Sequence, residues 1–226
     1  MRTPFILVNF KAYPEALGSK AVALAGTCAE VAEETGRSLA VAPSPFDLAL
    51  VAKSVRIPVF AQHLDPADTG KATGWVPPEA ALAAGAVGTL LNHSERKVAW
   101  EEMRDLIERC RQLGLEVVAC ADDVAEAETA ATFGPDYLAI EPPELIGGDV
   151  SVTSAKPEVI AKAVVRIHAA SPKVQVLCGA GVKTGRDVAK ALELGAVGVL
   201  LASGVVKAKD PGRSLRHLVK GLGRGP

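Results

Sequence analysis

Short runs of apolar and β-branched residues alternate with longer stretches rich in Ala, Leu, Glu and Lys along the chain. The short runs are apolar at successive positions, which is typical of parallel strands that are covered on both faces. The pattern therefore predicts eight strands, at Phe5–Val8, Ser38–Ala42, Val59–Ala61, Thr89–Leu91, Glu116–Ala119, Tyr137–Ile140, Val174–Cys178 and Gly198–Leu201.

The longer stretches carry apolar residues at helical spacing, as Val22, Ala25 and Ala29 do in the first of them. Several stretches stop at a glycine, which favours the left-handed conformation that commonly ends a helix. These glycines are Gly36, Gly85, Gly114, Gly134 and Gly195. The predicted helices are about Glu15–Glu34, Asp47–Lys53, Pro78–Ala84, Val98–Leu113, Val124–Thr132, Pro157–Ala170, Arg186–Leu194 and Gly212–Lys220.

An internal repeat supports a count of eight strand–helix units. The segment Ala84–Leu91 closely resembles Leu194–Leu201, about 110 residues further on, and four units of about 28 residues would separate the two copies by that distance. Strand–helix alternation with right-handed crossovers predicts an α/β fold, a single (β/α)8 barrel domain over residues 1–226 with some reduced helices. An open doubly wound sheet is the alternative.

Charge and cysteine content limit the partners and the compartment. The chain has 25 Lys and Arg against 26 Asp and Glu, which provides no general attraction to nucleic acid or anionic membrane. Its uncharged runs are well short of the roughly 20 residues that a membrane helix needs. The cysteines Cys28, Cys110, Cys120 and Cys178 are widely spaced, so we expect free thiols in a reducing cytoplasm.

Polar residues follow several of the predicted strands, where a barrel of this type carries its chemistry. Asn9 and Lys11 follow the first strand, His63 the third, His93 the fourth and Glu141 the sixth. Two turns of small residues follow the seventh and eighth strands, at Gly179-Ala180-Gly181 and Ala202-Ser203-Gly204. We therefore expect an amine, an imidazole, a carboxylate and two small-residue turns to face one mouth.

The surroundings of two of these residues indicate acid–base chemistry. Glu141 ends an apolar strand, where desolvation would raise its proton affinity, although a solvated loop glutamate is the alternative. His93 precedes Ser94-Glu95-Arg96, which resembles the start of a helical turn, and a helix N-terminus disfavours a charged imidazole. The alternatives are a structural histidine and, for Glu95 and Arg96, a supporting ion pair.

Three motifs together carry a family resemblance. They are Asn9-Phe10-Lys11, His93-Ser94-Glu95-Arg96 and Ala139-Ile140-Glu141-Pro142, in this order and over essentially the whole chain. The sequence resembles the triosephosphate isomerase family in its short archaeal form. The resemblance implies cofactor-free and metal-free interconversion of D-glyceraldehyde 3-phosphate and dihydroxyacetone phosphate through an enediolate, in glycolysis and gluconeogenesis.

The resemblance also implies residue roles. Glu141 would be the base, His93 the electrophile, Lys11 the cation and Asn9 its hydrogen-bonding partner, with Glu95 assisting. Backbone N–H groups in small-residue turns would bind the phosphate, because the main chain can approach closely there. The expected substrate-binding residues are Asn9, Lys11, Ile146, Gly147, Gly181, Ala202 and Ser203.

Lid and assembly are further expectations. The stretch Glu141–Pro157 shows neither a helical nor a strand pattern and is long for a loop of this kind, so we expect a lid that excludes water. Its hinge reads Pro142-Pro143-Glu144, and Trp75 replaces a Glu that is usual in the family. Relatives with such reduced barrels form homotetramers, which we expect here, with a homodimer as the alternative.

Two other functions stay open from the residues alone. Another phosphate-binding barrel, such as a sugar-phosphate epimerase or a tryptophan-pathway isomerase, would share the small-residue turns. A metal-dependent epimerase would need several ligands at strand ends, where only His63 and His93 are expected. A non-catalytic sensor of a phosphorylated metabolite could keep the turns and lose the base or the electrophile.

Overall fold

A computed structural model describes residues 1–148 and 151–223. Eight parallel strands form a barrel, in the hydrogen-bonded order β2-β1-β8-β7-β6-β5-β4-β3. The strands are β1 (Phe5–Asn9), β2 (Ser38–Ala42), β3 (Phe60–Ala61), β4 (Gly88–Leu91), β5 (Glu116–Ala121), β6 (Tyr137–Ile140), β7 (Gln175–Gly179) and β8 (Gly198–Leu201).

The barrel closes where β2 meets β3. A parallel bridge joins Val41 to Val59, and the Val41 N–H donates to Pro58 O at 3.1 Å. The predicted (β/α)8 barrel is thus confirmed, and the open doubly wound sheet is wrong because such a sheet has two unpaired edges.

Helices surround the strands at nearly all the predicted positions. Each predicted C-terminal glycine has a positive φ, from 65° at Gly36 to 95° at Gly195. The helices are α1 (Ser19–Thr35), α2 (Leu48–Ser54), α3 (Pro78–Ala83), α4 (Trp100–Leu113), α5 (Val124–Ala131), α6 (Val152–Ala155), α7 (Pro157–Ala170), α8 (Gly185–Glu193), α9 (Ser203–Val206) and α10 (Pro211–Leu218), with 3-10 turns at Pro14–Ala16, Pro143–Leu145 and Val219–Leu222.

Two layers of apolar side chains hold the fold together. Alternate strand residues, such as Phe60, Leu90 and Leu177, fill the barrel interior. The other strand residues and the apolar helix faces form a second layer between strands and helices, which includes Ile6 and Ile107. This arrangement explains why the strands are apolar on both faces.

The internal repeat has a packing reason. A Cβ at Gly88 would lie 2.4 Å from Glu116 O and from the Phe60 ring, and a Cβ at Gly198 would lie 2.3 Å from Phe5 O. Both glycines begin a strand where a neighbouring strand approaches closely. The repeat therefore marks equivalent positions in β4 and β8.

Two short helices were not predicted. The stretch Glu141–Pro157 contains α6 and the 3-10 turn Pro143–Leu145, so its interpretation as lacking helical structure is wrong over the residues described, 149 and 150 lying outside them. The helix α9 follows β8 directly. Helices of four residues span about one turn, which is too short to show a periodic apolar pattern.

All four cysteines are free and buried, as expected. Within residues 1–148 and 151–223, no helix combines the length and the apolar character that crossing a membrane requires.

Candidate active site

One pocket at the carboxyl ends of the strands contains every predicted site residue except Glu95. Strands β1, β4, β6, β7 and β8 each contribute their following residues, as the barrel topology predicts. The lining residues are Asn9, Lys11, Tyr13, His93, Glu141, Ile146, Gly147, Ala180, Gly181, Val182, Lys183, Leu200, Leu201, Ala202, Ser203 and Gly204.

Glu141 is a buried carboxylate at the end of β6. Its side chain is only 8% exposed, and its N–H donates to Ala121 O at 2.9 Å. Burial raises the pKa of Glu141 to about 7, against the opposing effects of the Lys11 charge and of a hydrogen bond from the Cys120 thiol. Oε2 has no hydrogen-bond partner among the described residues, so it is available to a substrate.

Gly179 provides the space that the Glu141 side chain occupies. A Cβ at this position would lie 2.5 Å from Glu141 Cγ and 2.8 Å from Glu141 Oε1. The end of β7 therefore helps to set the position of the carboxylate. The sequence shows this glycine in a small-residue turn, but nothing in the pattern shows that Glu141 packs against it.

His93 presents a neutral ring to Glu141. The Glu95 N–H donates to His93 Nδ1 at 3.1 Å, so Nδ1 is the acceptor and Nε2 carries the proton. Nε2 lies 3.5 Å from Glu141 Oε2. Burial, and after it the charge of Lys11, lowers the pKa of His93.

The structure corrects the predicted reason for this neutrality. Residues 93–96 form a turn closed by the Arg96 N–H to His93 O at 2.8 Å, and α4 begins only at Trp100. The predicted turn is therefore present, but it does not continue into a helix, so no helix N-terminus lies beside the imidazole. One backbone N–H, burial and a nearby cation disfavour the imidazolium instead of a helix N-terminus.

Lys11 is held between Asn9 and Glu95. Its backbone has φ of 50°, and its N–H donates to Asn9 Oδ1 at 2.9 Å. Its Nζ lies 2.6 Å from Glu95 Oε1. Because Arg96 pairs with Asp65 instead, at 2.9 Å, the alternative of a Glu95–Arg96 ion pair is wrong.

The small-residue turns form the opposite wall of the pocket. Ala180 and Gly181 both have positive φ, 66° and 71°, which turns the chain sharply after β7. On the facing segment the Ile146 N–H donates to Pro143 O at 3.1 Å. Ile146 would have to exchange this acceptor in order to bind a phosphate.

Two polar side chains that line the pocket, Lys183 and Tyr13, were not predicted from the sequence. Lys183 lies two residues after Gly181, and its charge so close to a small-residue turn is a signal that could have identified it. Tyr13 lies beyond Lys11, and Lys207 Nζ lies 5.2 Å from the centre of its ring. No pattern in the sequence distinguishes Tyr13 from an ordinary loop residue.

His63 lies outside this pocket. Its Nε2 is 3.1 Å from Asp65 Oδ1, and it lines a neighbouring cavity of about 250 Å³ together with Gln62, Glu95 and Arg96. Across residues 1–148 and 151–223, no group of three or more His, Cys, Asp or Glu side chains is arranged to hold a metal ion.

The pocket combines a buried base, a neutral hydrogen-bond donor and an ammonium group with turns through which backbone can approach an anion. Such a set can remove a proton from a carbon next to a carbonyl and stabilise the oxyanion that forms. The fold and the site thus define a (β/α)8-barrel protein that is equipped for acid–base catalysis. The small-residue turns at its rim are suited to binding a small anionic ligand.

The comparisons with known proteins identify the family. The family model described as Triosephosphate isomerase matches residues 4–221. A curated protein named triosephosphate isomerase from Methanobacterium bryantii is 48% identical to this chain, and the match covers 96% of each chain. Another of that name, from Methanothermobacter thermautotrophicus, is 46% identical, and the match covers 96% of this chain and 95% of the relative. One from Methanocaldococcus jannaschii is 43% identical, over 95% and 98%. The chain belongs to the triosephosphate isomerase family, whose members are isomerases.

Proposed function

We propose that this chain, acting as one catalytic domain, interconverts D-glyceraldehyde 3-phosphate and dihydroxyacetone phosphate. The family supports the reaction, and one observation in the site carries the assignment of residues. Glu141 Oε2 and His93 Nε2 lie 3.5 Å apart in one pocket that Lys11 also lines. This is the spacing at which a base and a hydrogen-bond donor can reach adjacent atoms of one small substrate.

The proposed reaction moves one proton between two carbons. The Glu141 carboxylate removes a proton from the carbon next to the carbonyl, while His93 Nε2–H donates a hydrogen bond to the carbonyl oxygen. The electron pair of the broken C–H bond forms the enediolate, and Lys11 stabilises the charge on its oxygen. Protonated Glu141 then returns the proton to the adjacent carbon, with proton exchange between the two oxygens.

The environment of each group suits its step. A base with a pKa near the working pH is efficient, and burial raises the pKa of Glu141 to about 7. The neutral imidazole of His93 donates through Nε2–H because its Nδ1 accepts the Glu95 N–H. Lys11 stays near the reacting oxygen because Glu95 and Asn9 hold its two ends.

The phosphate would lie at the small-residue wall. Backbone N–H groups of Gly181, Ala202 and Ser203 are the proposed donors, with Ile146 and Gly147 joining from the segment Glu141–Pro157. Asn9 and Lys11 complete the proposed set. Closure of that segment over the substrate would exclude water and protect the enediolate from loss of phosphate.

Assembly and location are part of the proposal. Phe46 is 99% exposed and Trp75 is 54% exposed, and their neighbours Pro45 and Gly74 line the same cavity beside Lys11. Apolar side chains exposed beside one cavity are typical of a contact between subunits, which supports a homotetramer with a homodimer as the alternative. Four free, buried cysteines support a cytoplasmic location.

The test is a coupled assay with D-glyceraldehyde 3-phosphate, in which dihydroxyacetone phosphate is reduced by a dehydrogenase and NADH. Wild-type protein should be active, and activity should persist after dialysis against EDTA. Absence of activity would contradict the isomerase and leave the epimerase class open, and loss on chelation restored by a divalent metal would contradict the metal-free mechanism. Binding of the substrate without turnover would favour the sensor.

A further inference from the structure

The loop that carries His93 is built around the side chain of Asn92. Asn92 directly follows β4, is 2% exposed and has φ of 59°. A positive φ is uncommon outside glycine, and asparagine tolerates it better than most residues. The fold therefore keeps a left-handed residue at the point where the chain turns into the pocket.

The Asn92 amide ties both ends of this loop. Nδ2 donates to Cys120 O on β5 at 2.9 Å and to Glu126 Oε1 on α5 at 2.9 Å. Oδ1 accepts from the Val98 N–H at 3.1 Å. The Asn92 side chain thus fixes the start of segment 92–98 to the neighbouring strand and helix. It also fixes the end of the segment, at Val98, to the start.

Glu126 joins this amide to a charged cluster. Oε2 accepts from the Asp122 N–H at 2.6 Å, and Lys97 Nζ lies 2.9 and 3.0 Å from the two carboxylate oxygens. Lys97 Nζ also lies 2.8 Å from Asp122 Oδ1. Since Lys97 belongs to the same loop as His93, the cluster holds that loop against the N-terminal end of α5.

Between the two tied ends lie His93 and Glu95, whose N–H fixes the His93 ring. We propose that Asn92, Glu126 and Lys97 are positioning residues that hold His93 Nε2 toward Glu141 by fixing segment 92–98 at both ends. The proposal rests on the proposed function, because it assigns these residues to the same reaction. None of the three lines the pocket that contains Glu141.

The expected effect is on the chemical step. Removing one member of this partly buried hydrogen-bonded network leaves its partners unsatisfied, most of all at the buried Asn92 amide, so the loop would relax. A displacement of about 1 Å at a reacting group can cost about 100-fold in rate. Substrate binding depends mainly on the opposite wall of the pocket, so kcat should fall while KM changes little.

Three variants separate the contributions. Asn92→Gly keeps the positive φ but removes all the side-chain hydrogen bonds. Asn92→Ala removes the same bonds and also strains the backbone. Glu126→Gln removes the charge that Lys97 binds. The matched control is Glu79→Gln, which removes the carboxylate that Arg109 holds through two hydrogen bonds of 2.8 and 2.9 Å, away from this loop.

We expect Asn92→Gly and Asn92→Ala to lower kcat at least about tenfold, with KM within about threefold of wild type. Glu126→Gln should lower kcat about threefold or more, and Glu79→Gln should leave it unchanged. If the wild type is active and the kcat of Asn92→Gly is within twofold of the wild-type kcat, the proposal is overturned. A loss of kcat in Glu79→Gln equal to that in the Asn92 variants would also overturn it. If the Asn92 variants do not fold, Glu126→Gln decides by the same criterion.

A second readout does not depend on activity. In protein labelled with 15N at histidine, the His93 signals, assigned with a His93→Gln variant, should show Nδ1 as acceptor and Nε2 protonated. The Asn92 variants should shift these signals, and Glu79→Gln should not. Unshifted signals in the Asn92 variants would overturn the positioning role. An inactive wild type with shifted signals would instead refute the proposed function and leave the positioning of His93 supported.

Discussion

The same buried surroundings shift the pKa values of Glu141 and His93 in opposite directions. Burial disfavours the charged form of each, so the pKa of the carboxyl rises and that of the imidazole falls. The result is a strong base beside a neutral hydrogen-bond donor. The position of Glu141 after an apolar strand was enough to predict its desolvation. The Glu95 N–H that fixes the His93 tautomer was not predictable, because it depends on a turn that no periodic pattern marks.

Glu141 should make folding less favourable as the pH rises. Its pKa is about 7 in the folded state against 4.5 ordinarily, so the folded state binds more protons between these values. Stability is therefore lost through this window and the penalty, at most about 3 kcal/mol, is complete above about pH 7. Glu141→Gln should raise the melting temperature relative to wild type more at pH 8 than at pH 5.

The measurement is thermal unfolding followed by circular dichroism at both pH values. Glu33→Gln, on the exposed face of α1, is the control and should give the same small difference at pH 5 and pH 8. A pH-independent effect of Glu141→Gln would mean that the carboxylate is not appreciably desolvated.

Gly179→Ala should displace the base without unfolding the protein. The added Cβ would lie 2.5 Å from Glu141 Cγ, so that side chain must move, and we expect kcat to fall about 10- to 100-fold. Gly26→Ala is the control, because a Cβ there has open space and the helix α1 accepts alanine readily. Steady-state kinetics of both variants check this, and wild-type kcat in Gly179→Ala would show that Glu141 is not confined.

At the scale of elements, the strands and longer helices were predictable because their apolar patterns repeat over several residues. The structure of the segment Glu141–Pro157 was less predictable from the sequence. Its 3-10 turn Pro143–Leu145 and the helix α6 depend on local hydrogen bonds, such as that from the Thr153 N–H to Ser151 Oγ at 3.3 Å, and on contacts with the turn after β7. The Val152 N–H donates to Ala180 O at 3.2 Å, which no sequence pattern shows.

An ion pair between Glu144 and Lys156 joins the two ends of this segment. Both side chains are about half exposed, so the effect of separating them should be modest. We expect Glu144→Lys and Lys156→Glu to lower kcat/KM about two- to fivefold each, because like charges would then face each other. The double exchange should restore most of the loss.

Steady-state kinetics at low and high salt provide the measurement. Screening should reduce the deficit of the single variants, since both charges are accessible to ions. A double variant no better than the worse single variant would indicate that the two ends act independently.

At the scale of the whole molecule, the barrel brings together residues that are far apart in sequence. Lys11, His93 and Glu141 meet because β1, β4 and β6 end at the same rim. This gathering was predictable once eight strands had been recognised, whereas the packing of Gly179 against Glu141 required the structure. The number of strands therefore predicted more of the site than any single sequence motif did.

The proposed assembly should depend on the exposed aromatic residues. We expect size-exclusion chromatography with light scattering to give about four times the chain mass of 23.4 kDa. Phe46→Lys and Trp75→Glu should lower the mass by placing charge in an apolar contact, and Val165→Lys on α7, also at an exposed apolar residue, should not. A wild type that is monomeric at micromolar concentration would contradict this assembly.

The most direct test of the account follows the proton that Glu141 is proposed to carry. Dihydroxyacetone phosphate is converted by the protein in D2O, and the product is examined by proton NMR. The proposed mechanism predicts deuterium at C2 of glyceraldehyde 3-phosphate in those turnovers in which the proton on Glu141 exchanges with solvent, and incorporation at least about 100-fold slower with Glu141→Gln. Proton transfer to C2 that is equally fast in Glu141→Gln and in wild type would contradict the role of Glu141.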